Sequence, residues 1–156
     1  MNAKFKAFDE ARFQKDWEIQ VHSAVKLCKA VLPAMSKAKF GRVLFIQTSY
    51  TIGCPPKNTA AYVMNKSAIG GLVKSLAVEY ARFGITVNCV APSMMETHFL
   101  KDTPDLIVQA AAADNPMGRN ATPEDVAPAM AFLLSEEARF ITGVTLPCHW
   151  EVPAIV

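Results

Sequence analysis

Tyr62 and Lys66 stand four residues apart in the stretch Tyr62-Val63-Met64-Asn65-Lys66, a spacing that puts both on one face of a helix. A free phenol titrates near about 10, too high to trade protons readily at neutral pH. A neighbouring ammonium favours the phenolate and lowers that value. A tyrosine assisted in this way can give a proton to a carbonyl oxygen or take one from an alcohol. Ser49 lies 13 residues before Tyr62, just past an apolar run, where its hydroxyl could hold a substrate oxygen. Taken alone, Y-x-x-x-K is equally the pattern of an ordinary surface helix pair, so the chemistry rests on what surrounds it.

Periodicity supplies the surrounding elements. A helix is predicted over 9–36, with Trp17, Val21, Ala24, Cys28, Val31 and Met35 on its core face and Pro33 and Gly41 marking its exit. Val43-Leu44-Phe45-Ile46 reads as a parallel strand buried on both faces, within 43–48. Gly53 to Asn58 is loop chemistry. A second helix follows over 59–83, with Ile69, Leu72, Val73, Leu76 and Tyr80 on one face and Ala61, Ala68 and Gly70-Gly71 keeping another thin. Gly84 ends it, and a strand over 85–91 comes next. Residues 93–121 read as irregular, with helix around 104–113. Thr122-Pro123-Glu124-Asp125 opens a helix over 122–134 through an N-cap, a first-turn proline and an acid at the third position; Val126, Met130, Leu133 and Leu134 form its core face. A strand over 144–147 closes the pattern. Alternating helices and strands imply an α/β fold with about three parallel strands and flanking helices.

Carboxyl ends of parallel strands are where open α/β sheets place ligands. Ser49 lies there after the first strand, and Asn88-Cys89-Val90-Ala91-Pro92-Ser93-Met94-Met95-Glu96-Thr97 runs from the second strand into a loop. Pro116-Met117-Gly118-Arg119, Thr122-Pro123-Glu124-Asp125-Val126-Ala127, Phe132-Leu133-Leu134-Ser135 and Ile141-Thr142-Gly143 follow. Order and spacing resemble the classical short-chain dehydrogenase/reductases (SDR), from about Phe8 to Leu146. The resemblance implies a partial Rossmann-like, doubly wound fold and NAD(P)-dependent oxidoreductase chemistry on carbonyl and alcohol substrates. It implies that Tyr62 is the acid/base, that Lys66 lowers its pKa and holds the nicotinamide ribose, and that Ser49 polarises the substrate. The asparagine of the family's catalytic tetrad would fall on Gln20. Pro92, Met95 and Thr97 match the segment along the nicotinamide, so the cofactor contacts would be Tyr62, Lys66, Pro92, Met95 and Thr97.

The chain departs from the family in four places. There is no glycine before Gly41, hence no G-x-x-x-G-x-G cradle for a pyrophosphate, which needs backbone N–H groups at a glycine-opened helix start. The expectation is a truncated domain that does not bind NAD or NADP by itself. Gln20 is a methylene longer than asparagine, and the neighbouring His22 reads as a half-buried helix residue. Pro92-Ser93 replaces a Pro-Gly, which serine allows only where φ is not positive. The ending from Pro147 to Pro153 is foreign to the family, of the kind that a shifted reading frame, a fusion junction or divergence would leave; the atypical tail spans 148–156.

Composition narrows the alternatives. An apolar share of 51% with 19% charged residues is that of a globular chain,. The net charge of +2 is scattered, against nucleic-acid or membrane-surface binding. Cys28, Cys54, Cys89 and Cys148 form no C-x-x-C pair, and with His22, His98 and His149 they match no metal spacing. They read as reduced, mostly buried thiols of a cytoplasmic protein. With one strand missing its neighbour, a homo-oligomer is expected through the helices 9–36 and 59–83 or the strand edge 43–48. Three functional readings stay open: a chain unable to catalyse redox alone, a fragment completed by a separate amino-terminal half, or a structural, self-associating remnant.

Overall fold

The computed structural model describes residues 4–101 and 103–150, with only the backbone of Phe99. Its sheet has three parallel strands in the order β1-β2-β3. These are β1 (Gly41–Ile46), β2 (Ile85–Pro92) and β3 (Thr145–Cys148). The fold is thus α/β and Rossmann-like. Central β2 is buried along its whole length, whereas β1 is mostly half-buried. The apolar run in β1 suggested burial on both faces; the structure places it at the sheet's edge, and Ile46 is 47% exposed.

The first helix begins at Asp9, whose carboxylate accepts from the Arg12 amide at 2.9 Å, an N-cap that satisfies an otherwise orphan donor,. It runs as α1 (Glu10–Trp17), a π-helical turn (Glu18–His22) and α2 (Ser23–Ala38). Pro33 does not end it. The ring sits on the exposed side of α2, and the exit comes at Lys39 in a left-handed conformation, φ 55°. Leu32, four residues after Cys28, takes the core position expected of Val31, which is exposed. Trp17, Val21, Ala24, Cys28 and Met35 pack as expected.

The next helix, α3 (Ala60–Tyr80), continues into a 3₁₀ turn (Ala81–Phe83) and stops at Gly84, φ 71°. It shares one face of the sheet with α2, where Ile69, Val73 and Ala77 meet Val21, Ala24, Cys28, Leu32 and the β2 residues Ile85, Val87 and Cys89. The opposite face is covered by α5 (Pro123–Leu134), whose Val126 and Leu133 pack on Val90 and Leu44. Leu134 is exposed rather than core. The start of α5 is the expected capping box: Thr122 caps the third residue's amide and the Asp125 carboxylate returns to the Thr122 N–H at 2.8 Å. Arg119 braces the same carboxylate with both guanidinium nitrogens, at 2.6 and 2.8 Å. Between β2 and α5 lies α4 (Asp105–Asp114). No helix is long and apolar enough to cross a membrane among the described residues. Residues 151–156 of the unusual tail lie outside them.

Candidate active site at the end of the first strand

The site forms where β1 ends. After Ile46 the chain passes through Gln47 and Thr48 into a 3₁₀ turn, Ser49–Thr51, so 47 and 48 are no longer strand. Ser49 is fully buried, and its Oγ has no hydrogen-bond partner among the described residues. A buried hydroxyl left unpaired loses its hydration without return. A substrate oxygen would supply the partner.

Tyr62 and Lys66 stand on the first two turns of α3, on one face as their spacing requires,. Tyr50, one residue past Ser49, stands edge-on to the Tyr62 ring with centroids 6.3 Å apart. Burial pushes the Tyr62 phenol above its ordinary value; a hydrogen bond with Thr48 opposes the shift and Tyr50 adds to it. The expectation that Lys66 lowers the phenol's pKa is corrected here. The Lys66 ammonium lies 5.9 Å from the Tyr62 ring centroid and donates at 3.0 Å to the Ile46 carbonyl. Desolvation of the phenolate therefore dominates, and burial also pushes Lys66 itself down,.

Gln20 falls within the π-helical turn, a local widening that is common at functional sites,. Its Oε1 is buried without a partner among the described residues. His22 is exposed, not half-buried, and bonds to Glu18 one turn back. Pro92 is the last residue of β2, and Met95 in the following loop pairs with Ala121 in an isolated parallel bridge. Ser93 is absent from the described positive-φ residues, so its replacement of glycine carries no backbone strain,. Thr97 lines an open cleft of about 480 Å³ with Glu96, His98, Lys101 and Asp105. Cys28 and Cys89 are buried, Cys148 is half-buried and Cys54 is exposed; none forms a disulfide.

Two polar residues of this region were not singled out from the sequence. Gln47 is buried at the strand end. Its Oε1 accepts from Cys89 Sγ and Thr145 Oγ1, each at 3.0 Å, and its Nε2 donates to the Lys66 carbonyl at 3.0 Å. One carboxamide thus ties the exit of β1, the middle of β2 and the start of β3 to the turn of α3 that carries Lys66. Gly70 makes room for it, since a methyl there would lie 2.7 Å from Gln47 Nε2. Asn65, between Tyr62 and Lys66 in sequence, is buried with neither amide atom partnered among the described residues. The signal for Gln47 was a polar residue interrupting an apolar strand end, with a glycine mid-helix to receive it. Asn65 gave none, because a polar residue beside a lysine reads as solvated.

Residues 1–149 match the sequence profile described as enoyl-(acyl carrier protein) reductase. The chain is 38% identical over 138 residues to the 3-oxoacyl-[acyl-carrier-protein] reductase FabG of Vibrio cholerae, covering 85% of this chain and 56% of that one. With the oxidoreductase UcpA of Salmonella typhimurium it shares 35% identity over 134 residues, 81% of this chain and 51% of the other. Among solved structures, a Beutenbergia cavernae protein assigned as an NAD(P)-dependent gluconate 5-dehydrogenase, with bound NADP, superposes with a TM-score of 0.89 at 28% identity. That superposition takes in 96% of this chain and 60% of its neighbour. The chain therefore spans about half the length of the curated relatives it matches. Matching along nearly all of its own length, with the α/β fold and the Ser49, Tyr62 and Lys66 positions described above, the chain belongs to the short-chain dehydrogenase/reductase family.

Proposed function

We propose that this chain is the catalytic half of an NAD(P)-dependent oxidoreductase interconverting a carbonyl and an alcohol. One observation carries the reading: a buried, unpartnered Ser49 hydroxyl lies at the strand end next to the helix that bears Tyr62 and Lys66. In the proposed reaction Ser49 Oγ–H donates to the substrate oxygen and holds it near Tyr62. The raised pKa of Tyr62 keeps its phenol protonated at neutral pH, ready to give Oη–H to that oxygen as the alkoxide forms,. In the oxidative direction a phenolate takes the proton back. A nicotinamide cofactor supplies the hydride. The residues here fit the nicotinamide end of such a group: the Lys66 ammonium is at hand for a ribose hydroxyl, and Pro92, Met95 and Thr97 follow β2. No G-x-x-x-G-x-G spacing occurs among the chain's seven glycines, so the pyrophosphate would need a further βα half.

The 156 residues alone should accordingly turn over no substrate and bind NAD(H) or NADP(H) weakly, and addition of an amino-terminal half should restore activity. The amino-terminal half of the Vibrio cholerae relative, added as a second polypeptide or joined ahead of Asp9, provides the test. NADPH oxidation across a ketone panel should appear, and Tyr62→Phe should reduce it by at least about 100-fold without changing the circular dichroism. Activity unaffected by Tyr62→Phe would refute the roles assigned here. Free thiols suit a reducing cytoplasm,.

Self-association is the second proposal, and exposed apolar side chains favour it. Val78 on α3 is 85% exposed, Leu27 on α2 is 66% and Ile19 beside it is 61%. A helix with apolar residues on its outer face generally covers that face with another surface. Sedimentation equilibrium should show a homodimer or larger assembly at micromolar concentration, weakened by Val78→Asp; a stable monomer would exclude it.

A further inference from the structure

We infer that Thr48 is a further catalytic residue: its hydroxyl donates to the Tyr62 oxygen and holds the phenolate left when Tyr62 gives up its proton. The inference deepens the proposed function and rests on it. Ser49, assigned there to the substrate, has no partner for its Oγ among the described residues. Its neighbour Thr48 is buried and hydrogen-bonded with Tyr62. Thr48 Oγ1 also accepts from the Tyr50 N–H at 3.5 Å, as the cap of the 3₁₀ turn. With an oxygen lone pair turned to that amide, the hydroxyl hydrogen is left for the Tyr62 oxygen. The direction of the bond agrees, since it lowers the phenol's pKa as a donor to the charged form does,.

Local structure fixes this hydroxyl in place. The Thr48 carbonyl accepts from the Thr51 N–H at 3.1 Å and from Thr51 Oγ1 at 2.8 Å, so the turn closes on the residue. A β-branched side chain adds little χ1 freedom of its own. The donor is therefore aimed before charge develops, which lets it favour the charged state without reorganising. In the reductive direction the Tyr62 Oη–H bond breaks as the substrate oxygen gains the proton, and the new phenolate keeps the Thr48 O–H. In the oxidative direction the phenolate must exist beforehand, and the same donor stabilises it against the burial that opposes it. Two other titratable groups face the ring. Tyr50 would raise the phenol if charged, and the Lys66 ammonium lies 5.9 Å from the ring centroid.

The test reads Tyr62 itself, in the 156-residue chain. Incorporated 3-fluorotyrosine gives one ¹⁹F signal each for Tyr50, Tyr62 and Tyr80, and Tyr62→Phe assigns the one that matters. Thr48→Val keeps the side chain's shape without the hydroxyl and should weaken the Tyr62 ionisation constant at least about tenfold. Thr48→Ser should restore the constant, and Ser49→Ala should leave it in place. A constant indifferent to Thr48→Val overturns the inference, and so does one that Ser49→Ala weakens as much. If Thr48→Val does not fold, Thr48→Cys must weaken the constant in its stead, because a thiol is a weak donor; an unchanged constant there overturns the inference too. Turnover of the chain completed by the Vibrio cholerae amino-terminal half separates this from the proposed function. Alcohol oxidation should need higher pH in Thr48→Val and regain the parent profile in Thr48→Ser. A weakened Tyr62 constant with activity indifferent to Tyr62→Phe refutes the catalytic reading alone. An unchanged constant with activity lost in Tyr62→Phe refutes the role of Thr48 alone.

Discussion

The two sides of the central strand are finished to different degrees. Toward β3, polar groups close on one another. Gln47 accepts from Cys89 and Thr145 and donates to α3, while the Asn88 amide donates to the Ile141 carbonyl at 2.8 Å and accepts from the Val144 N–H at 3.2 Å. Toward the β1 edge and the π-helical turn, buried polar atoms stand without partners among the described residues: Gln20 Oε1, Ser49 Oγ and both amide atoms of Asn65. The first arrangement is that of a region built for stability. The second carries unmet hydrogen-bonding capacity, which elsewhere is met by ligand, water or a further piece of protein. The residues proposed for chemistry stand on the border between them.

Breaking the closed side should have the largest effect. Gln47→Ala removes three hydrogen bonds and should lower stability by about 3 kcal/mol, read from urea unfolding at fixed protein concentration. A loss under about 1 kcal/mol would mean that the node is incidental. Gly70→Ala attacks the same node indirectly by pushing on the Gln47 amide and should cost about 1–2 kcal/mol. Paired with Gln47→Ala it should be less than additive, since both act on one contact.

The open side should respond with the opposite sign. Asn65→Leu replaces a buried, unpartnered amide with an apolar group of similar size and should raise stability by about 1 kcal/mol. Destabilisation instead would show that something outside the chain's own atoms holds that amide. The smallest effects concern pH. Lys66 has its pKa lowered in the fold, so stability rises with pH from the folded pKa up to the ordinary value of about 10.5,. Tyr62 has its pKa raised, so its contribution is complete below its ordinary value of about 10 and declines as pH climbs further,. Lys66→Met should remove the rising limb and Tyr62→Phe the falling one in thermal melts between about pH 9 and 12.

The legible parts were those written in local chemistry. The Tyr62–Lys66 helix, the strand over 85–91 and the Thr122 capping box each announce themselves through spacing or a cap, and the structure has all three. The π-helical turn at Glu18–His22 was not legible, because the apolar steps from Trp17 to Val21 and Ala24 look the same with or without one extra residue in a turn. Pro33 lies inside the helix, as the reading over 9–36 has it, and the exit comes two residues later than expected, after Ala38. The exchange of Val31 for Leu32 follows from Cys28, since the two candidates stand three and four residues on and only packing decides between them. Lys66 was read against Tyr62, its neighbour in sequence period. Its actual partner, the carbonyl of Ile46, is a backbone group whose availability depends on which strand stands next to β1. That is a property of sheet order and cannot be read from any one segment.

The two helix exits remain. Lys39 and Gly84 both adopt left-handed conformations, φ 55° and 71°, and they abut, for a methyl on Gly84 would lie 2.5 Å from the Lys39 carbonyl oxygen. Immediately beyond them β1 and β2 begin in step, Gly41 opposite Ile85. The joint therefore fixes strand register at the end of the sheet remote from Ser49 and Tyr62, through residues that close their helices by local turns. It is suited to form early in folding, with pairing running from there toward the end that carries Ser49. Order in time would then follow distance from this joint: Gly84→Ala would slow refolding, whereas lesions at Gln47, just past the opposite end of β1, would chiefly hasten unfolding.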